Sequence, residues 1–224
     1  MHITIIAKQP RPGFVKTRLC PPCTPEQATR LAAAALTDTL DQVDLLVNGL
    51  TNGLTDSVQR VLLFDGDPIG WLRSGYEAVV QRGDGLAERL ANGFDELGPG
   101  IIVGMETPHA VSALGSGLAA LQRGSDTIGL ATDGGYWAIG VSDVDRRIFH
   151  EVPMSASRTG LAQLRQLHRL NRAVHHMPMA RDLDNLDDVV AASRRLHETT
   201  LVAAAKAVLA ELESGAVVTS PDLG

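Results

Sequence analysis

Between Lys8 and Leu19 the chain reads Lys-Gln-Pro-Arg-Pro-Gly-Phe-Val-Lys-Thr-Arg-Leu, a loop with four cations and no acid. The whole chain has only three lysines and otherwise relies on arginine, yet Lys8 and Lys16 both fall here. A compact ammonium beside the planar fork of Arg18 is the pairing that suits a polyphosphate. Gly13 lets backbone N–H groups approach an anion, and a helix starting just beyond would add its positive end. The loop lacks the G-x-x-x-x-G-K-[ST] pattern of a Walker A motif. The competing reading is a basic surface loop stiffened by proline; the lysine placement favours the phosphate site.

Acidic residues supply the complementary chemistry. Glu106 follows the apolar run Ile101 to Val103, and Asp182 and Asp184 lie between an apolar run and a helix start at Asn185. Carboxylates just past the C-terminal ends of strands stand where α/β sheets bind ligands. A divalent cation held there would neutralise phosphate charge opposite Lys16 and Arg18. Asp184 and Asp188 could equally do no more than serve the N-terminus of the following helix. Asp133-Gly134-Gly135 reads either as a hairpin turn or as a binding segment, since Tyr136 and Trp137 set aromatic faces beside a carboxylate, as a sugar or other hydroxylated acceptor requires. Asp84 to Arg89 can be a ligand segment or simply a helix start. His109 reads as a bystander, His175-His176 as one buried and one exposed imidazole. Cys20-Pro21-Pro22-Cys23 is a lone C-x-x-C with no second pair, and reads as loop geometry rather than a zinc or redox site.

The elements that would position these groups alternate. Ile3 to Ala7, Val61 to Phe64, Ala78 to Val80, Ile101 to Val103, Thr127 to Ala131, Tyr136 to Ile139 and Ala173 to Met177 read as strands. Thr24-Pro25-Glu26-Gln27 is a capped helix start with a closed capping box, the helix running to about Leu46. Further helices are expected over Leu86 to Leu97, from a cap at Ser112 to about Gln122, over Ala156 to Leu170, over Leu186 to His197 with Asn185 as cap, and over about Thr200 to Leu212. Strands alternating with helices imply a mostly parallel layered α/β sheet, with an antiparallel hairpin near Asp133. The few residues repeated between Gly49 and Thr55 recur at too short a period for a solenoid. One domain over residues 1–214 with a tail at 215–224 is expected.

Composition bounds the function. With 224 residues, 44% hydrophobic, the chain can bury one sizeable core. A net charge of -6 argues against broad nucleic-acid binding. No apolar run approaches the roughly 20 residues that span a bilayer, and no signal-peptide pattern opens the sequence, so a cytoplasmic location is expected.

At this point a family resemblance becomes specific. The run K-x-P-x-P-G-x-V-K-T-R-L resembles the opening signature of bacterial glycosyltransferase-A-fold proteins labelled selenodomain-associated transferases or predicted glycosyltransferases, which are similar in layout to molybdopterin-guanylyltransferase and phospholactate guanylyltransferase. Gly83 to Leu90 resembles the family's G-x-x-L-G-E-R-L, Gly104-Met105-Glu106-Thr107-Pro108 stands at its G-T-D-S-P, Asp133 to Gly140 resembles D-G-G-Y-x-L-I-G, and Asp182 to Asp188 resembles D-V-D-T-P-E-D. The likeness covers roughly residues 1–190. It departs where Glu106 replaces an aspartate, where Pro153 to Ser157 replaces W-S-T-x-x, and where Asn185-Leu186 replaces T-P. The resemblance implies a Rossmann-like α/β/α sandwich with a mostly parallel mixed sheet, the nucleotide-diphospho-sugar transferase fold. It implies a nucleotide bound by Ala7, Lys8, Pro12, Gly13, Lys16, Arg18, Asp84, Gly85 and Arg89, with Lys16, Arg18 and Asp133 in catalysis. Asp133, Gly134, Gly135 and Tyr136 would hold the substrate, and Glu106 and Asp184 would hold Mg²⁺ or Mn²⁺. Glycosyl transfer from a nucleotide-sugar to a small acceptor, nucleotidyl transfer from a triphosphate to a phosphorylated acceptor, and a nucleotide binder that has lost catalysis through Glu106 remain the three readings.

Overall fold

A computed structural model describes residues 1–50, 58–194, 196 and 198–218. Among the described residues seven strands make one sheet: β1 (His2–Lys8), β2 (Gln59–Asp65), β3 (Tyr76–Val80), β4 (Gly100–Gly104), β5 (Asp126–Ala131), β6 (Tyr136–Val141) and β7 (Val174–Ala180). Their spatial order is β3-β2-β1-β4-β6-β5-β7. All neighbours run parallel except β6, which is antiparallel to both β4 and β5. The expected antiparallel β5–β6 hairpin is present, and its second strand runs reversed inside an otherwise parallel sheet.

Strand periodicity sorts the core into two faces. Ile3, Ile5, Leu62, Phe64, Ile101 and Val103 point to the side covered by α1 (Pro25–Gly49) and α3 (Leu114–Gln122). Val61, Leu63, Ile102, Ile139 and Val141 point to the side covered by α2 (Leu86–Leu97) and α4 (Thr159–Arg169). A further cluster packs α5 (Leu186–Ser193) and α6 (Thr200–Val218) on the outside of α1, with Leu19 and Cys23 in it. Buried Asp38 of α1 accepts from the Thr200 and Leu201 N–H groups at 3.0 and 2.9 Å, satisfying the first turn of α6.

The helix signals hold where side chains close the caps. Thr24 and Gln27 form the capping box of α1, and Asn185 and Asp188 form that of α5. Other boundaries differ. Ser112 lies inside a 3₁₀ segment, Pro108–Ala113, and α3 begins at Leu114 with Ala113 as its cap. α4 starts at Thr159 rather than Ala156, because the Thr159 hydroxyl bonds the Pro153 and Ala156 carbonyls and holds the preceding residues in a turn. α1 runs to Gly49, past Leu46. α5 ends at Ser193, and His197, the expected end, lies outside the described residues, as do 51–55 of the short repeat. α6 continues to Val218, into the expected tail, whose residues 219–224 are outside the described set. Among the described residues no helix is long and apolar enough to cross a membrane.

One core residue gives the fold a pH signature. His2 is fully buried, its Nε2–H donating to the Gly98 carbonyl at 3.0 Å and its Nδ1 accepting from the Thr4 hydroxyl at 2.7 Å. Burial pushes its pKa down to about 4. The unfolded chain therefore binds the proton first, so the contribution is complete above the ordinary value near 6.5 and is lost as pH falls from there toward 4. Chemical denaturation at pH 7 and pH 5 should show the wild type losing about 2 kcal/mol more than His2→Gln across that interval. Equal losses in the two proteins would contradict the assignment.

Candidate active site

The C-terminal ends of β1, β4, β5 and β7 and the start of β6 open onto a cleft of about 740 Å³, within the range of small-ligand sites. The sheet brings four distant segments to it. Lys8, Lys16 and Arg18 come from the loop after β1, Glu106 and Thr107 from the end of β4, Asp133 to Tyr136 from the β5–β6 turn, and Asp182 and Asp184 from the segment after β7. Ala7, Asp84, Gly85 and Arg89 also line it.

At its floor lies a charge cluster. The Lys16 side chain is only 5% exposed, and its ammonium sits 2.5 Å from Glu106 Oε2 and 3.9 Å from Asp184 Oδ1. No hydrogen bond with acceptable angles accompanies the contact, so the ammonium acts as a cation seated between carboxylates rather than as an aligned donor. Lys16 holds this position at φ 50°, ψ 36°, a left-handed backbone that a lysine adopts at a cost. Arg18 Nη1 meets the other oxygen of Asp184 at 2.8 Å but is 70% exposed, and so adds little stability. Asp182 is pushed up to about 7, first by burial and then by the neighbouring Glu106 and Asp133, with Lys16 opposing and Asp184 adding to the rise. Glu106 and Asp184 thus flank the ammonium, with Asp182 and Asp133 adding charge nearby.

The walls are built from hydrogen bonds that the sequence does not announce. Gln81 donates to the Ala7 carbonyl at 2.7 Å and the Leu63 carbonyl at 3.0 Å, tying β1 to β2 where the cleft begins. Arg89 bonds Asp65, Gln81 and the Gly83 carbonyl, so its guanidinium is engaged in structure. Gly85 caps α2 with no side-chain bond, which leaves first-turn N–H groups facing the rim. Asp133 Oδ1 accepts from the Gly135 N–H at 2.8 Å, closing the turn. A Cβ at Gly134, φ 92°, would lie 1.8 Å from the Ser157 carbonyl, and Gly160 N–H donates to the Gly134 carbonyl. Glycine is required there because the 155–160 loop is laced onto the turn, bringing Ser155 and Ser157 into the cleft wall. Burial raises the Tyr136 hydroxyl pKa well above its ordinary value. The Thr107 hydroxyl is buried in the lining with no partner among the described residues.

Not every residue singled out from the sequence reaches the cleft. Pro12 and Gly13 form the tip of a turn closed by Phe14 N–H to the Arg11 carbonyl, with Gly13 at φ 78°, and neither lines the cleft. Gly134 stands behind the wall. Arg11 bonds Gln9 outside it. Gln81, Thr107, Ser155 and Ser157 line the cleft without having been singled out as site residues; Thr107 falls in the Gly104–Pro108 motif and Ser155 and Ser157 in the segment that replaces W-S-T-x-x, while the only signal of Gln81 is proximity to a strand end. Cys20 and Cys23 are free thiols, the latter buried against the α1–α6 layer.

This architecture has solved counterparts. A protein from Desulfovibrio desulfuricans G20, provisionally named a nucleotide-diphospho-sugar transferase, superposes with a TM-score of 0.82 at 22% identity over 95% of this chain and 96% of its own. The fold is therefore the glycosyltransferase-A-like, nucleotide-diphospho-sugar transferase fold. CMP:2-keto-3-deoxy-manno-octonic acid synthetase complexed with CTP aligns over 87% of this chain and 98% of its own at 12% identity, with a TM-score of 0.48. No curated protein matches the sequence. The chain belongs to the family described as "Uncharacterized protein conserved in bacteria (DUF2064)", whose model matches residues 32–156.

The charge cluster makes a thermodynamic prediction. Lys16→Met keeps the buried stem but leaves the carboxylates uncompensated, and should cost about 2 kcal/mol, a Tm drop of roughly 4–8 °C. Glu106→Gln in the same chain should restore part of that loss, so the double variant is more stable than the two single losses added. Strictly additive losses in thermal unfolding would mean that the two side chains are not coupled.

Proposed function

We propose that the chain is a metal-assisted transferase acting on an activated nucleotide, and that it transfers a glycosyl group from a nucleotide-sugar to a small hydroxylated acceptor. The observation that carries this reading is the convergence of Lys16, Glu106 and Asp184 on one cation-sized position at the floor of the cleft. The name of the D. desulfuricans protein sharing the fold favours the glycosyl reading, as does the resemblance of the first loop to selenodomain-associated transferases.

The cation seat passes a chemical test. Among the described residues no three His, Cys, Asp or Glu side chains make a protein-only metal cage. Mg²⁺ and Mn²⁺ need none, because they are usually held by one or two carboxylates with waters and substrate phosphates completing the shell. Glu106 and Asp184 are two such carboxylates, 38% and 28% exposed, and the Lys16 ammonium between them supports the reading that a cation suits this place. When bound, the metal would supply charge neutralisation for the phosphates of the leaving group.

The remaining roles fall to the chain. Lys16 and Arg18 would bind phosphate oxygens, with Lys8 and the first turn of α2 at Gly85 assisting. Asp133, Gly135 and Tyr136, with the Ser155–Ser157 loop opposite, would orient the acceptor, and Asp133 would take the proton of its attacking hydroxyl. The walls would exclude water from the reacting carbon. Nucleotidyl transfer is the second reading, favoured by three cations, Lys8, Lys16 and Arg18, lining one cleft. A lapsed enzyme is the third, motivated by Glu106.

Two measurements check the reading. In calorimetry, Lys16→Ala should weaken nucleotide binding by about 10- to 150-fold, the scale of lost charge-assisted hydrogen bonds, while Arg11→Ala, outside the cleft, should leave it nearly unchanged. Incubation with Mn²⁺ and panels of nucleotide-sugars and nucleoside triphosphates should release nucleoside diphosphate from a nucleotide-sugar. Pyrophosphate release with a phosphorylated acceptor would replace glycosyl with nucleotidyl transfer, and silence from both panels with binding intact would favour the lapsed enzyme.

A further inference from the structure

The chain's charge is segregated in a way that the cleft does not use. Between Val152 and Arg181 there is no Asp or Glu, although the chain has 26, while five arginines and three histidines fall in that stretch. Two of the arginines are spent on structure: Arg172 grips buried Asp126 through two bonds of 2.7 and 2.9 Å, and Arg181 pairs with Asp188. The other three, Arg158, Arg165 and Arg169, are exposed, and their side chains make no ion pair or hydrogen bond among the described residues.

Helix geometry puts these charges on one stripe. α4 buries Thr159, Gly160, Gln163 and Leu167 against the sheet. At 100° per residue, Arg158, Leu161, Arg165, His168 and Arg169 fall on the opposite side. Leu161 is 52% exposed in the middle of the stripe. His176 of β7, exposed, lies on the same side of the sheet as Val174, which packs with the α4-side cluster. The stripe begins at the cleft rim, since Ser157 lines the cleft and Arg158 follows it directly.

We propose that the outer face of α4 is a docking surface for a bilayer carrying anionic headgroups. Free guanidinium groups match phosphate-bearing headgroups in charge and in forked geometry. Leu161 among them decides the occupant: an exposed apolar side chain flanked along the helix by Arg158 and Arg165 gains from the headgroup–acyl boundary and gains nothing from a purely polar polyanion. The overall net charge of -6 does not oppose this, because at physiological salt charges beyond a Debye length of about 8 Å are largely screened and the local surface sets the attraction. The attraction is local, weak and reversible. It does not rest on the transferase reading, but on that reading it would bring an acceptor carried on the membrane to the rim where the Ser155–Ser157 loop stands.

Sedimentation of the full chain with phosphatidylcholine vesicles, with and without about 30% phosphatidylglycerol, tests the proposal at 0.1 M salt. Binding is expected only with the anionic lipid and should weaken steeply as salt is raised. Arg165→Glu/Arg169→Glu should lower it at least tenfold, since each basic residue near such a surface is worth about fivefold. Arg123→Glu/Lys206→Glu, which makes the same charge change at exposed positions on other elements, should leave it unchanged, and circular dichroism checks that both variants fold. Leu161→Ser should weaken binding to anionic vesicles without altering its salt dependence. Equal loss in both double variants, binding no stronger than to neutral vesicles, or retention by RNA or an acidic peptide in place of vesicles would each overturn the proposal.

Discussion

The site depends on one electrostatic constraint: Glu106, Asp133, Asp182 and Asp184 crowd one end of the sheet, and Lys16 is the buried cation among them. Such a cluster cannot be desolvated without a counter-charge. The loop after β1 supplies it by bending Lys16 into the left-handed backbone region, where glycine would sit more easily. Backbone strain kept for the sake of a side chain points to function at that side chain. On the proposed reading the same arrangement would set the ligand chemistry, since a cation seat in one cleft with Arg18 and the first turn of α2 suits phosphate and its counter-ion.

The sheet order explains why these groups meet. With β1 and β4 adjacent, their following segments open side by side at the carboxyl ends, where α/β sheets bind ligands. Inserting β6 antiparallel between β4 and β5 turns the Asp133 hairpin toward the same end. The 155–160 loop, pinned by Thr159 and laced to Gly134, then forms the far wall. Walls pinned by hydrogen bonds around a polar floor would suit preorganised binding, in which the dipoles that meet a ligand need little rearrangement.

Much of this was legible in the sequence. All seven strands were readable because buried parallel strands are continuous apolar runs such as Ile3 to Ala7. The starts of α1 and α5 were readable because Thr24–Gln27 and Asn185–Asp188 close local side-chain caps. Starts fixed by tertiary contacts were not: α3 begins after a 3₁₀ segment, and α4 waits for a threonine that holds a loop. In the site, residues with charge or glycine chemistry stood out, and most of them line the cleft. Gln81, Thr107, Ser155 and Ser157 did not, because an uncharged side chain near a strand end acquires meaning only from what it faces. Gly13 stood out as a place where backbone could approach an anion and Pro12 through the resemblance, but both form the tip of a turn outside the cleft lining.

The central claim is that the Lys16 ammonium occupies a seat that a divalent cation and nucleotide phosphates take over together. Its most direct test is a crystal structure of the protein with Mn²⁺ and a nucleoside diphosphate, read through the anomalous signal of the metal. The account predicts manganese bonded to Glu106 and Asp184 carboxylate oxygens, with Lys16 swung away from Glu106 onto a phosphate. Manganese at any other position, with Lys16 still lodged between Glu106 and Asp184, would contradict it.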